Sequence, residues 1–80
     1  MQVEVTLPKL EFEPGTELTV SFWFVENGDE VLEGDRLVEI LAGPITFDVP
    51  SPVAGRLVEL RAVEDDVVQC GNVLAVLETD

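Results

Sequence analysis

Apolar and polar residues alternate along most of this chain with a period of two rather than 3.6. Val3, Val5 and Leu7 alternate with Gln2, Glu4 and Thr6, the pattern of a half-buried strand over Gln2–Leu7. Pro8 has no N–H for a ladder and limits that strand. Lys9–Thr16 holds Pro14 and Gly15 and reads as a loop, with Leu10 and Phe12 folded back onto the body. A longer strand follows over Glu17–Val25, with Leu18, Val20, Phe22 and Phe24 on one face. Trp23 and Val25 fall on the other face, where they either cover the end of the core or meet a partner. Scattered apolar surface of this kind is common, which favours the structural role.

Asn27-Gly28-Asp29 is a strong turn signal, Glu30–Glu33 a short extended piece, and Gly34-Asp35 turns again. The chain then reaches Val38–Gly55, the stretch the rest is organised around. A strand over Val38–Leu41, a tight turn at Gly43-Pro44 and a returning strand over Ile45–Val49 make a hairpin. Val38, Ile40, Ile45, Phe47 and Val49 alternate with Glu39, Thr46 and Asp48, which predicts one buried face. Proline in trans is disfavoured at the third position of a type I turn. An Ala42–Ile45 turn therefore needs another type, such as a cis-Pro type VI, or the turn shifts so that Pro44 takes its second position.

Pro50-Ser51-Pro52 makes a stiff exit towards Gly55. Arg56–Val63 is a further strand, with Val58, Leu60 and Ala62 opposite Glu59 and Arg61. Glu64-Asp65-Asp66 and Gly71-Asn72 turn. Val73–Leu77 is a last strand, apolar on both faces and so central in its sheet. No segment sustains a helical period, so no helix is expected.

An internal repeat orders these pieces. An offset of ~37 residues, found by sliding the chain along itself as repeat-finding requires, superposes Asp29 on Asp66, Val31 on Val68 and Gly34 on Gly71. Leu37 falls on Leu74 and Ile40 on Leu77. Two β halves of equal plan imply pseudo-twofold symmetry, each burying its apolar face against the other, and neither stable alone.

Composition bounds the rest. Eighty residues make one domain spanning 1–80, and a hydrophobic content of 46% supports one core despite a net charge of −13. Seventeen acids stand against Lys9, Arg36, Arg56 and Arg61. Such a surface repels nucleic acid and anionic membranes, suits a basic protein partner and keeps the domain solvated. No apolar run reaches the length of a membrane span and no leader pattern opens the chain, so a cytoplasmic protein is expected. The single cysteine, Cys70, excludes an internal disulfide and fits a reducing compartment.

Chemistry of the chain's own is sparse. It has no His and no Tyr, which thins the acid–base and metal repertoire. Asp65-Asp66 and Asp29-Glu30 lack the spacing of a calcium loop and read as solvated turns. Cys70 has no histidine to activate it. The six glycines are isolated turn residues and form no phosphate loop. No catalytic or metal-binding residues are expected.

Several runs, in order and at consistent spacing, resemble the lipoyl/biotinyl domain family, and most nearly the lipoyl domains of 2-oxo acid dehydrogenase acyltransferases. Leu7-Pro8-Lys9-Leu10 is similar to the family's opening, and Trp23–Asp29 to its strand ending in a Gly-Asp turn. Gly34-Asp35-Arg36-Leu37-Val38-Glu39-Ile40 resembles the lead into the hairpin. Asp48-Val49-Pro50-Ser51-Pro52-Val53-Ala54-Gly55 matches the most recognisable run, and Val73–Glu78 the last strand. The resemblance covers nearly the whole chain, with about one residue inserted near Glu11–Gly15. It implies an all-β fold: a flattened β-barrel, or barrel-sandwich hybrid, of two four-stranded antiparallel sheets with pseudo-twofold symmetry.

The resemblance also implies an acceptor lysine at the hairpin tip, amide-linked to lipoate or biotin, with the cofactor carrying the chemistry and the protein presenting it. Counted forward from Ile40 and backward from Pro50, that position is Pro44, flanked by Gly43 and Ile45. Proline has no side-chain amine. The one lysine, Lys9, matches a different motif near the chain start, expected away from the tip. Leu41 to Ile45 all depart from the family's Glu-Thr-Asp-Lys-Ala, so the tip has changed as a unit. Glu78-Thr79-Asp80 repeats the missing lead-in with no lysine after it, a coincidence of the internal repeat.

Three readings follow. The first is an unmodified lipoyl-like domain with no cofactor, acting through a protein partner, its self-association left open at the Trp23 face. The second is a working carrier domain of a 2-oxo acid dehydrogenase complex, which needs another nucleophile. The third is a barrel-sandwich module of a transport or adaptor assembly, expected within a longer chain with flanking helices. The length of 80 residues points away from that last reading.

Overall fold

The computed structural model describes Met1–Asp80 as eight strands with no helix. These are β1 (Gln2–Thr6), β2 (Leu18–Trp23), β3 (Glu30–Val31), β4 (Arg36–Ala42), β5 (Ile45–Pro50), β6 (Gly55–Leu60), β7 (Val67–Val68) and β8 (Val73–Glu78). They form two four-stranded sheets, ordered β1-β8-β6-β3 and β5-β4-β2-β7, with every pair antiparallel. The sheets pack into an elongated sandwich 39 Å long and 18–19 Å across. β8 occupies a central position, as its two apolar faces predict.

The repeat seen in the sequence is a true exchange of halves. The Val20 amide donates to the Asp66 carbonyl and the Leu57 amide to the Asp29 carbonyl, each at 2.9 Å. Each of these bonds becomes the other when the repeat partners trade places. The same holds for the Gly28 amide on Leu57 and the Asp65 amide on Val20. In the turns, Asp29 Oδ2 accepts from the Glu26 amide at 2.8 Å and Asp66 Oδ2 from the Val63 amide at 2.9 Å. Asp35 and Asn72 do likewise for the Leu32 and Gln69 amides. Side chains that satisfy turn amides in this way fix the short strands β3 and β7 to their entry points.

Because β3 and β7 each pair with a strand of the other half, neither sheet belongs to one repeat. The core follows the same exchange: Val20 and Leu57, Leu37 and Leu74, Ile40 and Leu77 are all fully buried. Each such side chain contributes about 1.5–3 kcal/mol by leaving water. Val5 and Leu7 are buried, as the alternation of the first strand predicts.

Four strands carry a bulge: Leu37 is the extra residue in β4 and Leu74 in β8, and β2 and β6 depart from simple alternation as well. β2 pairs Val20 with Ile40 but Phe22 with Glu39, so Ser21 is an extra residue. In β6, Leu57 pairs with Leu77 but Glu59 with Val76, which makes Val58 the extra residue. A bulge of this kind reverses which side chains face inward beyond it. Leu18 and Val20 are buried as expected, but Phe22 is 49% and Phe24 37% exposed. Trp23 and Val25 pack against the core in their place. Val58 likewise lies outside, while Leu57 is buried and Leu60 and Ala62 face in.

Candidate functional site: the β4–β5 hairpin tip

The tip is built by the pairing of β4 and β5, which holds to its last residues, with Leu41 opposite Thr46 and Ala42 opposite Ile45. On its other side β4 is held by β2, through Leu18 opposite Ala42. The two-residue turn is Gly43-Pro44, as the sequence indicates. Every peptide bond is trans, and Gly43 has a φ of +59°. The pyrrolidine ring keeps φ negative at Pro44. A positive φ at the first central residue followed by a negative one defines a type II′ turn.

The turn stays at Ala42–Ile45 and takes a type other than I, as expected, but it is a trans II′ turn and neither the cis-Pro form nor the shifted turn. Glycine before the proline opens a backbone region that other residues do not enter, so the trans proline fits at the third position without moving the turn. Proline lacks an N–H, and here none is needed for the ladder. The II′ twist also matches that of the flanking strands, which makes this a stiff connection.

The tip projects past the core. Ala42 is 2% exposed, but its cross-strand partner Ile45 is 56% exposed, contrary to the buried position that alternation predicts. Gly43 and Pro44 are also exposed, and Leu41 is 40% exposed. The loop between β1 and β2 lies alongside: a Cβ placed on Gly43 would stand 4.0 Å from Thr16 Cγ2. Thr16 closes its own turn by donating from Oγ1 to the Glu13 carbonyl at 2.7 Å. Phe12, as expected, folds back, and its ring stacks on Phe47 with centroids 5.8 Å apart. Leu10 is half in water, at 41% exposure.

The side chains gathered at the tip are apolar. Gly43, Pro44 and Ile45 carry no amine, hydroxyl, thiol or carboxyl group. An amide-linked cofactor needs an amine, and these three residues do not fit one. Lys9 is exposed on the β1–β2 connection. It follows Leu7, whose backbone is pinned to the Gly71–Asn72 turn by bonds of 2.9 Å. Pro44 thus sits on the projecting β4–β5 hairpin and Lys9 does not.

Across the pseudo-twofold, the counterpart of the tip is the meeting of the chain ends. The Thr79 amide donates to the Met1 carbonyl at 2.8 Å, and the Met1 ammonium donates to the Thr79 carbonyl at 2.9 Å. Glu78-Thr79-Asp80 therefore occupies the place in its half that Leu41-Ala42-Gly43 occupies in the other. Its likeness to a hairpin lead-in follows the repeat. No group of side chains able to hold a metal ion occurs, and no helix is long and apolar enough to cross a membrane.

Sandwich, twofold and projecting hairpin define a barrel-sandwich domain of the attachment type. The profile of the biotin/lipoyl attachment family, described as "Biotin-requiring enzyme", matches residues 3–77. The chain belongs to that family. It is 41% identical, over 98% of its length, to the dihydrolipoyllysine-residue succinyltransferase component of the 2-oxoglutarate dehydrogenase complex of Bartonella vinsonii, covering 19% of that protein. It is 38% identical, over 96% of its length, to the dihydrolipoyllysine-residue acetyltransferase component of the pyruvate dehydrogenase complex of Corynebacterium glutamicum, covering 11% of it. The chain thus spans a fifth or less of these relatives. In three dimensions it resembles the lipoyl domain of the 2-oxoglutarate dehydrogenase complex from Azotobacter vinelandii. That likeness has a TM-score of 0.75 at 22% identity, over 96% of each chain, and shows the fold.

The bulges at Ser21 and Val58, like those at Leu37 and Leu74, are what sequence reasoning missed. The signal was present in each half as an apolar residue at two successive positions, Phe22-Trp23 and Leu57-Val58, where strict alternation allows one.

Proposed function

We propose that this chain is a lipoyl-type domain that takes neither a lipoyl nor a biotinyl group and works through protein contacts. The observation that carries this reading is Pro44 in the second central position of the II′ turn, where the hairpin would otherwise offer an amine. The altered tip is a stiff apolar point, with Ile45 and Leu41 exposed beside it. A rigid apolar projection on an acidic body suits contact with a protein surface, since little conformational freedom is lost on docking.

The relatives' names give a second reading, a carrier domain in a multienzyme complex of the 2-oxo acid dehydrogenase type. In that case an attachment other than a lysyl amide is required at the tip. One experiment separates the two. The natural chain, and a variant with Gly43→Asp, Pro44→Lys and Ile45→Ala, are each co-expressed with lipoate and biotin ligases and weighed intact. The expected outcome is an unmodified natural chain and a lipoylated variant. A cofactor-sized increment on the natural chain overturns the proposal.

A further inference from the structure

Where the two sheets meet beside the bulged strands, a shallow groove is open to solvent. Trp23, Val25 and Leu60, all half-buried, contribute to its apolar lining. Phe22 and Val63, 49% and 56% exposed, also line it. The indole N–H of Trp23 is already used, donating to the Ala62 carbonyl at 2.9 Å. The ring is therefore fixed, and its accessible part is apolar. The groove is pre-formed, and filling it costs no buried hydrogen bond.

The charges around it identify the occupant. Glu26 and Glu64 also line the groove, and neither carboxylate meets a cation within the chain. The arginines are engaged elsewhere: Arg36 with Asp48, Arg56 with Glu30, and Arg61 with Glu4 and Glu59. A second copy of the chain is a poor occupant, because two bodies of −13 each would bring four such carboxylates together. An apolar segment flanked by lysine or arginine is complementary in both respects.

We infer that the Trp23–Leu60 groove receives an extended segment of another protein, apolar at its centre and cationic at both flanks, with Glu26 and Glu64 taking the cations. The inference rests on the reading of this chain as a protein-contact module. Its test is separate from the mass measurement at the tip, so either can fail alone.

Trp23 is the one tryptophan and lies in the groove, so its emission reports occupancy. The probe is a capped pentapeptide, lysine-leucine-valine-leucine-lysine, titrated against the natural chain. Its twin carries glutamates in place of the lysines. The lysine peptide is expected to shift Trp23 emission saturably and to weaken several-fold as salt rises from about 20 to 300 mM. The glutamate peptide is expected to give no saturable shift. Glu26→Lys with Glu64→Lys should weaken the lysine peptide at least about tenfold and admit the glutamate twin. That exchange of preference also shows the variant to be folded. No saturable shift with either peptide, equal binding of both to the natural chain, or a double variant that keeps the natural preference overturns the inference.

Discussion

Phe22 and Glu59 occupy the same place in the two halves of this domain, as do Phe24 and Arg61, Leu41 and Glu78, and Val67 and Glu30. All eight are exposed. In the β5-β4-β2-β7 sheet and its extension these positions are apolar, with Phe22 and Phe24 edge to face at 5.3 Å and the Arg36 guanidinium 4.7 Å over the Phe24 ring. In the other they are charged, with Arg61 bridging Glu4 and Glu59 and Arg56 meeting Glu30. Inside, by contrast, most positions correspond: Val20 and Leu57, Val31 and Val68, Leu37 and Leu74, Val38 and Ala75, and Ile40 and Leu77 are buried in both halves. Close packing between the sheets tolerates little variation, whereas an exposed position can change at almost no cost in stability. The twofold is thus kept by the core, and the outer surface and the hairpin tip are where the halves have become different things.

That comparison can be broken most forcefully in the core. Ile40→Ala and Leu77→Ala remove equivalent, fully buried side chains, and each is expected to cost about 2–5 kcal/mol. Urea unfolding should show the two costs within about 1 kcal/mol of each other. A large inequality would mean that the symmetry is geometric without being energetic.

Gly55 tests where the symmetry stops, since its counterpart is Leu18. A Cβ at Gly55 would lie 2.6 Å from the Glu78 carbonyl oxygen, and backbone of a central strand moves with difficulty. Gly55→Ala should therefore cost roughly 1–3 kcal/mol as an overpacked site. A neutral result would show that β8 yields at its end.

A smaller effect is expected at Asp65, the counterpart of Gly28. Both take positive φ, at +74° and +95°, and only glycine does so freely. Asp65→Gly should restore the symmetry and stabilise by up to about 1 kcal/mol in the same unfolding assay. Loss of stability would show that the aspartate does more at this turn than hold its backbone. Smallest of all, Val67→Glu, at a residue 61% exposed, copies its counterpart Glu30 and should change stability by no more than about 0.5 kcal/mol. A larger loss would mean that Val67 belongs to the core after all.

Much of this was legible beforehand. The repeat located both turns of each half, and it did so because its spaced glycines, aspartates and core leucines answer to backbone geometry and packing. The runs shared with the attachment family marked the hairpin and singled out Pro44. What alternation could not supply was the facing of Phe22, Phe24 and Val58. A single inserted residue reverses a strand's two faces while leaving its composition unchanged, and Ser21 is unremarkable as a residue. Ile45 misled for another reason: alternation gives the direction of a side chain, and only the structure shows that the core has ended by then. The turn at Pro44 was open because proline's preference alone excludes type I, whereas type II′ depends on the positive φ that glycine takes at Gly43.

Whether the tip carries a cofactor is read from the mass of the chain as its own cells make it. Isolated from its source and weighed intact, the chain should show no lipoyl or biotinyl increment on any residue, and peptide mapping over Leu41–Thr46 should return the unmodified segment. An increment of either size, mapped to this hairpin or to Lys9, would show that the domain is a carrier after all.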